Sequence, residues 1–151
     1  MNTKNCVVLV QHRGDSEYND FIGKFYHFPE KYIKLLEKDN LEFVYYEPTT
    51  KGGKGSYFGY GKIKRIFGDK KVKNHYYAEI YNYQPFAEDV PFFEQNTSLN
   101  RETPPYYNQQ NSVRRIAPKA LDEICLDGGI LLSFKSDAHL IKVLGEELTV
   151  L

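Results

Sequence analysis

Residues 51–65, KGGKGSYFGYGKIKR, combine residue types that could bind phosphate or a nucleobase: five glycines, three aromatic residues and five basic residues. A nucleoside-triphosphate loop requires G-x-x-x-x-G-K-[ST] between a strand and a helix. The spacing from Gly55 to Lys62 does not fit, and Ile63 stands where the hydroxyl residue is needed. The dinucleotide-binding glycine pattern fails for the same reason. We therefore predict a strand whose glycines allow curvature and close approach of a neighbour.

The remaining reactive side chains show no catalytic or metal-ligand spacing. Cys6 and Cys125 sit in apolar surroundings without basic neighbours, which predicts reduced, buried thiols in a cytoplasmic protein. The acids Glu88, Asp89 and Glu94 lack the following lysine of a metal-dependent nuclease. No zinc-ligand spacing involves the four histidines, at positions 12, 27, 75 and 139. We expect no catalytic residue, metal or cofactor.

Charge is unevenly distributed along the chain. The net charge is zero, yet residues 51–75 hold eight basic residues and one acid, a net of +7, so the remainder carries −7. A domain polarised in this way can present a basic face to nucleic acid. Lysine-rich hairpins also protect sheet edges from aggregation, so both interpretations stay open at this point.

Aromatic residues are abundant, with thirteen Tyr and ten Phe but no Trp. They cluster at 25–28, 44–46, 56–60, 75–83 and 104–107. Because alternate side chains of a strand face opposite ways, about half of these rings should be core. The exposed half, beside a basic hairpin, is the combination expected of a base-stacking surface.

The elements that must position these residues are mostly strands. Alternating β-branched and aromatic residues predict strands at 6–10, 41–47, 56–67, 75–83 and 112–116, with an edge strand at 88–94 containing Pro91. Early prolines predict helices at 29–38 and 117–125, and polar composition predicts loops at 11–24 and 95–111. Together these elements predict an α+β fold, a small, mainly antiparallel β-barrel flanked by short helices.

The 151 residues suit a single domain, 1–151. No apolar run is long enough to span a membrane, and the apolar run at 6–10 is too short for a signal peptide. The tail from residue 130 shows a helix-like period and stops on apolar residues. This ending suggests that the domain forms the N-terminal part of a longer protein or packs its end on a partner.

Several motifs resemble a known family when taken in order: FYHFPEKY, FVYYEP, GSYFGYGKI, YYAEIYNYQPF, VPF and SVRRI before a helix. Over about residues 25–126 the chain resembles PUA-like modules, related to the EVE and ASCH groups, that precede HNH nuclease domains in bacterial modification-dependent restriction endonucleases. The resemblance implies a curved barrel that takes a flipped, modified base of DNA into an aromatic pocket. It also implies that nuclease activity belongs to a separate in-frame domain. EVE-type pockets often use Trp, so Tyr or Phe must serve here.

The resemblance and the basic hairpin together predict which residues form the site. The expected base pocket consists of Tyr26, His27, Phe28, Tyr46 and Tyr57. Expected contacts to the nucleic-acid backbone are Lys51, Lys54, Lys62, Lys64, Arg65, Arg114 and Arg115.

The leading hypothesis is a DNA-binding specificity module of a restriction or defence system, without catalysis of its own. An RNA- or tRNA-binding PUA-like module would use the same surface. A single-domain enzyme acting on nucleic acid or a small ligand, and a protein-interaction domain, are the remaining alternatives.

Overall fold

The computed structural model describes residues 4–13, 21–94, 97, 99–102 and 111–130. The predicted helical tail and most of the predicted loop at 95–111 lie outside these residues. In the described part, six strands alternate with two α-helices and two single 3₁₀ turns, Glu30–Tyr32 and Thr50–Gly52. The strands are β1 (Asn5–Val10), β2 (Phe25–Pro29), β3 (Leu41–Glu47), β4 (Ser56–Gly68), β5 (His75–Pro91) and β6 (Val113–Arg115), and the helices are α1 (Ile33–Leu36) and α2 (Pro118–Asp127).

All six strands form one sheet in the order β2-β5-β4-β3-β1-β6. Only β1 and β3 pair in parallel, and the other neighbours are antiparallel. The sheet curls into a half-barrel, which brings its two edges together. The hydroxyl of Tyr26 on β2 lies 3.2 Å from the Val10 carbonyl and 3.3 Å from the Ser112 carbonyl. The predicted class, a small α+β domain with a mainly antiparallel barrel-like sheet and short flanking helices, is confirmed.

The centre of the sheet is buried on both faces. The inside of the curl packs Phe43, Tyr45 and Phe58 against the 3₁₀ turn and α1. The outside packs Val8, Val44 and neighbouring residues against α2. Two covered faces explain why Cys6 to Leu9 form an unbroken buried run, as expected for a strand that is paired in parallel.

The segment FYHFP is a strand, although the sequence predicted no strand there and placed Pro29 in a helix. It forms β2, which pairs antiparallel with the first residues of β5, from Phe25 opposite Glu79 to Pro29 opposite His75. The helix predicted at 29–38 is correspondingly reduced to the turn Glu30–Tyr32 and the single α-turn Ile33–Leu36. The pairing of β2 with the distant strand β5 therefore outweighs the local preference for a helix that begins at Pro29.

Strand β5 joins the strands predicted at 75–83 and 88–94. Asn82 has a positive φ of 52°, which bends the strand at the point where its register with β4 shifts. Beyond Glu79, β2 no longer pairs with β5, so the second half of β5 lies at an edge. Pro85 and Pro91 are tolerated there because an edge strand need not donate on its outer side.

The glycines of β4 serve close packing, as the sequence predicts. A Cβ at Gly61 would lie 2.8 Å from the Phe43 ring, and one at Gly59 would overlap the Tyr83 ring. Both aromatic rings therefore lie directly on the strand backbone, which explains why this central strand carries residues without side chains.

Candidate nucleic-acid interface

The outer half of β4 borders a groove that contains two of the predicted contacts. Because β3 pairs with β4 only as far as Lys62, residues of β4 from Ile63 onward keep β5 as their partner on one side and lie beside α1 on the other. The space between them is a groove of about 760 Å³. Its lining includes Lys64, Arg65, Phe67 and Gly68 of β4, Tyr76 and Tyr81 of β5, and residues 33 and 36–40.

Aromatic and basic side chains meet in this groove. Phe67 is 40% exposed and Tyr81 is 42% exposed, high values for large rings. Lys64 and Arg65 are exposed on one wall, and Lys38 on the other. Exposed rings together with cations in one groove are the combination that binds unpaired bases and their phosphates.

The groove is not uniformly positive. Glu37 and Asp39 contribute two acids to its lining. Arg65 donates to Glu79 over 2.9 Å, but with its side chain 70% exposed this pair lies in solvent. Carboxylates in a base-binding groove can accept hydrogen bonds from exocyclic amino groups.

A set of partly exposed rings continues from the groove across the sheet; we call it the aromatic face. Its members are Phe25, His27, Phe67, His75 and Tyr77, with neighbouring ring centroids 4.7–6.3 Å apart. It arises from the alternation in β2, which sends Tyr26 and Phe28 inward and their neighbours outward. Phe67 belongs to both the groove and the aromatic face.

His27, a predicted pocket residue, lies within the aromatic face. Its Nε2 is 3.0 Å from Oδ2 of Asp69, and its ring centroid is 4.7 Å from that of Tyr77. A hydrogen bond from the Lys71 backbone, assisted by one from the Val72 backbone and one from the His27 side chain, lowers the pKa of Asp69 below its usual value. The carboxylate thus fixes the imidazole beside the tyrosine ring.

Three other predicted pocket residues are core residues. Tyr26, Phe28 and Tyr57 are at most 5% exposed. Burial raises the pKa of both tyrosine hydroxyls, and the nearby Glu102 carboxylate adds to this effect at Tyr57. A base-contacting role needs an accessible ring face, which this folded structure does not give them.

Tyr46 and Arg114 meet in a buried network instead of an open pocket. Arg114 donates to both carboxylate oxygens of Glu102 over 2.7 Å, and Tyr57 donates to the same carboxylate over 2.6 Å. The Arg114 guanidinium lies 5.3 Å from the centre of the half-buried Tyr46 ring, which also contacts Phe92. Arg114, predicted to bind the nucleic-acid backbone, is thus an internal ion-pair residue with a 3% exposed side chain.

The other predicted backbone contacts are dispersed. Lys54 is exposed in the turn before β4, and Lys62 is half-buried in the middle of the strand. Arg115 is exposed at the end of β6, beside a different cavity. The side chain of Lys51 lies outside the described structure.

The far side of the domain is acidic. A second groove of about 910 Å³ lies between the end of β5 and α2. Its lining contains exposed Phe93 and one arginine, Arg101, together with the acids Glu88, Asp89, Glu94, Glu123 and Asp127. This groove would repel phosphate, so the two grooves differ in the charge of their linings.

Sequence reasoning missed three residues of the groove beside β4: Lys38, Phe67 and Tyr81. Lys38 stands at the end of a segment predicted as an ordinary surface helix, and the two rings belong to clusters in which about half of the members are core. These residues lie between 2 and 27 positions from Lys64 and Arg65 in the sequence, and those separations match no motif. The usable signal in the sequence was the position of aromatic residues near the ends of strands that flank a basic run.

Two other kinds of site are absent from the described structure. Among the residues it covers, no three His, Cys, Asp or Glu side chains are grouped so as to hold a metal ion. None of the helices within those residues is long and apolar enough to cross a membrane.

No protein-family model and no curated protein matches the chain. Among solved structures, the N-terminal domain of Staphylothermus marinus McrB is similar over 60% of this chain and 78% of that domain, with 8% sequence identity and a TM-score of 0.40. At this TM-score the likeness carries no weight for the function of the chain.

Proposed function

We propose that this domain is a PUA-like DNA-binding module of a restriction or defence system, which reads a modified base and has no catalysis of its own. The observation that supports it best is the groove beside β4, whose lining contains two exposed rings, Phe67 and Tyr81, together with the exposed cations Lys38, Lys64 and Arg65. The nuclease would be a separate domain of the same protein or complex.

In this proposal the rings bind the base and the cations bind the strand. Extruding a base from a duplex costs a few kcal/mol, and stacking on an aromatic side chain returns about 1–3 kcal/mol per base. Lys64 and Arg65 are exposed and can follow phosphates, each contact releasing counterions. The groove, at about 760 Å³, has room for a nucleobase with added substituents.

Selectivity for a modified base would come from the groove walls. Ile63 and Ile66 offer apolar surface to a methyl group, while Glu37 and Asp39 can accept hydrogen bonds from an exocyclic amine. A methyl group buried against apolar walls contributes about 1 kcal/mol, so preference for a modified base should be several-fold to tenfold.

Fluorescence anisotropy with labelled oligonucleotides tests the proposal. Matched duplexes containing cytosine, 5-methylcytosine, 5-hydroxymethylcytosine or N6-methyladenine are titrated at two salt concentrations, together with a structured RNA. We expect tighter binding of at least one modified duplex and weaker binding at high salt. Equal affinity for all duplexes would refute base reading while leaving general DNA binding, and preference for the RNA would favour an RNA-binding module.

Two variants locate the interface. Tyr81→Ala should weaken binding of the preferred duplex by about 5- to 100-fold, the loss expected for one stacking ring. Phe93→Ala, which removes a similarly exposed ring from the acidic groove, is the matched control and should leave affinity unchanged. Lys64→Ala should weaken the binding of all duplexes alike. It should also lower the slope of log K against log[salt] by about 1, the contribution of one phosphate contact. Equal effects of Tyr81→Ala and Phe93→Ala would place the interface elsewhere.

A further inference from the structure

The aromatic face extends beyond the groove as a continuous row of rings across three strands. Phe67 lies opposite Tyr77 where β4 pairs with β5, and Tyr77 lies opposite His27 where β5 pairs with β2. Neighbouring ring centroids in this row are 5.7 Å and 4.7 Å apart. The row therefore crosses two strand spacings, about 10 Å, on one side of the sheet.

The rings of the aromatic face remain accessible although they pack against one another. Phe67 is 40% exposed, the side chain of His27 is 24% exposed, and the other members are half-buried. The inward-facing neighbours Tyr26 and Phe28, by contrast, lie in the core. Adjoining exposed rings mark a binding surface more often than rings that stand singly.

The turn between β4 and β5 carries positive charge. Residues 68–74, GDKKVKN, contain three lysines, Lys70, Lys71 and Lys73, and one acid, Asp69, a net of +2. All three lysines are exposed, and none forms an ion pair with another described residue. Their charges are therefore available to an anionic ligand.

Two contacts hold this turn against the aromatic face. Oδ2 of Asp69 lies 3.0 Å from Nε2 of His27, and the Lys73 carbonyl lies 3.0 Å from Nδ1 of His75. The lysines of the turn consequently lie at the edge of the rings. Glu79, the acid in the next row of the sheet, pairs with a basic side chain over 2.9 Å and so adds no unbalanced negative charge.

We infer that the aromatic face binds single-stranded DNA, about two unpaired nucleotides beside the one whose base occupies the groove, while the lysines of the turn contact their phosphates. Phe67 connects the two sites, because it lines the groove and belongs to the aromatic face. Rings beside a basic segment bind single strands with little dependence on sequence, since every base has a π-face. For the nucleotide in the groove this inference rests on the proposed function, whereas binding of a strand to the aromatic face does not depend on base reading.

Fluorescence anisotropy with an unmodified single strand tests the role of the rings. The probe is a labelled oligothymidylate of about eight nucleotides, within the usual site sizes for single strands. His27→Ala should weaken its binding about 5- to 100-fold, the effect of one lost stacking ring. His27→Phe keeps a ring and should bind as the wild type does, which separates stacking from a structural role of the imidazole. Phe93→Ala, in the acidic groove, is the control and should bind normally.

The salt dependence of the same binding tests the role of the turn. Lys70→Gln/Lys71→Gln should lower the slope of log K against log[salt] by about 1.4, since each phosphate contact to a single strand contributes about 0.7. The matched control, Lys34→Gln/Lys119→Gln, removes two exposed cations outside both the turn and the groove lining, and should leave the slope unchanged. Equal slopes for the two variants would overturn the phosphate contacts of the turn.

Photo-crosslinking locates the bound strand directly. An oligothymidylate that carries 5-iododeoxyuridine should crosslink to residues 25–29 or 75–79, as identified by mass spectrometry of the digested protein. Crosslinks found only in other segments would overturn the inference, even if the variants weaken binding.

The outcomes distinguish this inference from the proposed function. Single-strand binding that His27→Ala weakens, in a protein without preference for any modified base, would support the aromatic face and refute base reading. Selective binding of a modified duplex by a wild type that binds no single strand would support the proposed function and refute the inference. Unchanged single-strand affinity in His27→Ala, with the variant folded by circular dichroism, would also refute the inference.

Discussion

Arg114 and Glu102 should form the most costly single interaction to break in this domain. Their side chains are 3% and 0% exposed, and two hydrogen bonds of 2.7 Å join them. Replacing Arg114 by methionine removes two hydrogen bonds from the Glu102 carboxylate, which stays buried. The hydrogen bond from the Tyr57 hydroxyl to this carboxylate remains. An uncompensated buried charge is strongly unfavourable, whereas the intact pair adds little beyond a well-packed apolar replacement.

The expected magnitude follows from this burial. Breaking a buried ion pair by removing one partner costs about 3–5 kcal/mol. Domains of this kind have unfolding free energies of roughly 5–15 kcal/mol, so Arg114→Met should remove at least about a fifth of the total. Glu102→Gln should cost a similar amount. The double variant should be more stable than the sum of the two losses predicts, by at least about 2 kcal/mol, because neither charge is then left alone.

Urea unfolding followed by far-ultraviolet circular dichroism measures these free energies. The control is Arg65→Met, which breaks the solvent-exposed pair with Glu79 and should cost less than about 1 kcal/mol. A loss for Arg114→Met no larger than that for Arg65→Met would refute the internal role of Arg114. Simple additivity of the two single variants would show that the charges do not compensate each other.

Three further predictions concern packing, pH and thiol access. Gly59→Ala should lower the unfolding free energy by about 1–3 kcal/mol because its methyl group would overlap the Tyr83 ring, whereas Gly68→Ala, where a Cβ meets nothing within 4 Å, should be nearly neutral; equal urea midpoints would contradict this packing. Burial alone would raise the pKa of Glu47, but hydrogen bonds from the side chain and backbone of Arg13 lower it below 4.5. The ionised Glu47 therefore stabilises the folded state fully above about pH 4.5, and this contribution is lost as the pH falls through the lowered pKa. Arg13→Gln should therefore make the unfolding free energy less sensitive to acid, and an identical pH profile would exclude the interaction. The two buried cysteines should react with a thiol reagent only in urea, and fast reaction in native buffer would contradict their burial.

Local patterns predict much of the secondary structure because they report local preferences. The alternation of LEFVYYE predicts β3 with the bounds that the structure has. The start of β5 and the existence of α2 follow in the same way. Strand β2 is missed because Phe25 to Pro29 has no local feature that distinguishes a strand from the approach to a helix. Its partner, the start of β5, lies about fifty residues away in sequence.

The candidate site is less predictable, since it depends on which side chains are accessible. Arg114 and Arg115 are adjacent and chemically identical, yet one pairs with Glu102 inside the domain and the other lines an open cavity. The pleat of β6 sends neighbouring side chains to opposite faces, and only the surrounding fold decides what each face meets. Tyr26 and His27 differ for the same reason, one ring lying in the core and the other in the aromatic face.

The sequence by itself determined that this is a small, strand-rich α+β domain with buried cysteines, a concentrated basic segment and more aromatic residues than a core requires. Those properties follow from composition and from the period of two, which act over a few residues. The tertiary structure alone decided that Phe67, Tyr81 and Lys38 share a groove, and that Lys34 and Arg115 face one cavity. The physical reason is that these residues meet through curling of the sheet and docking of α1 and α2, which depend on pairings and contacts between distant parts of the chain.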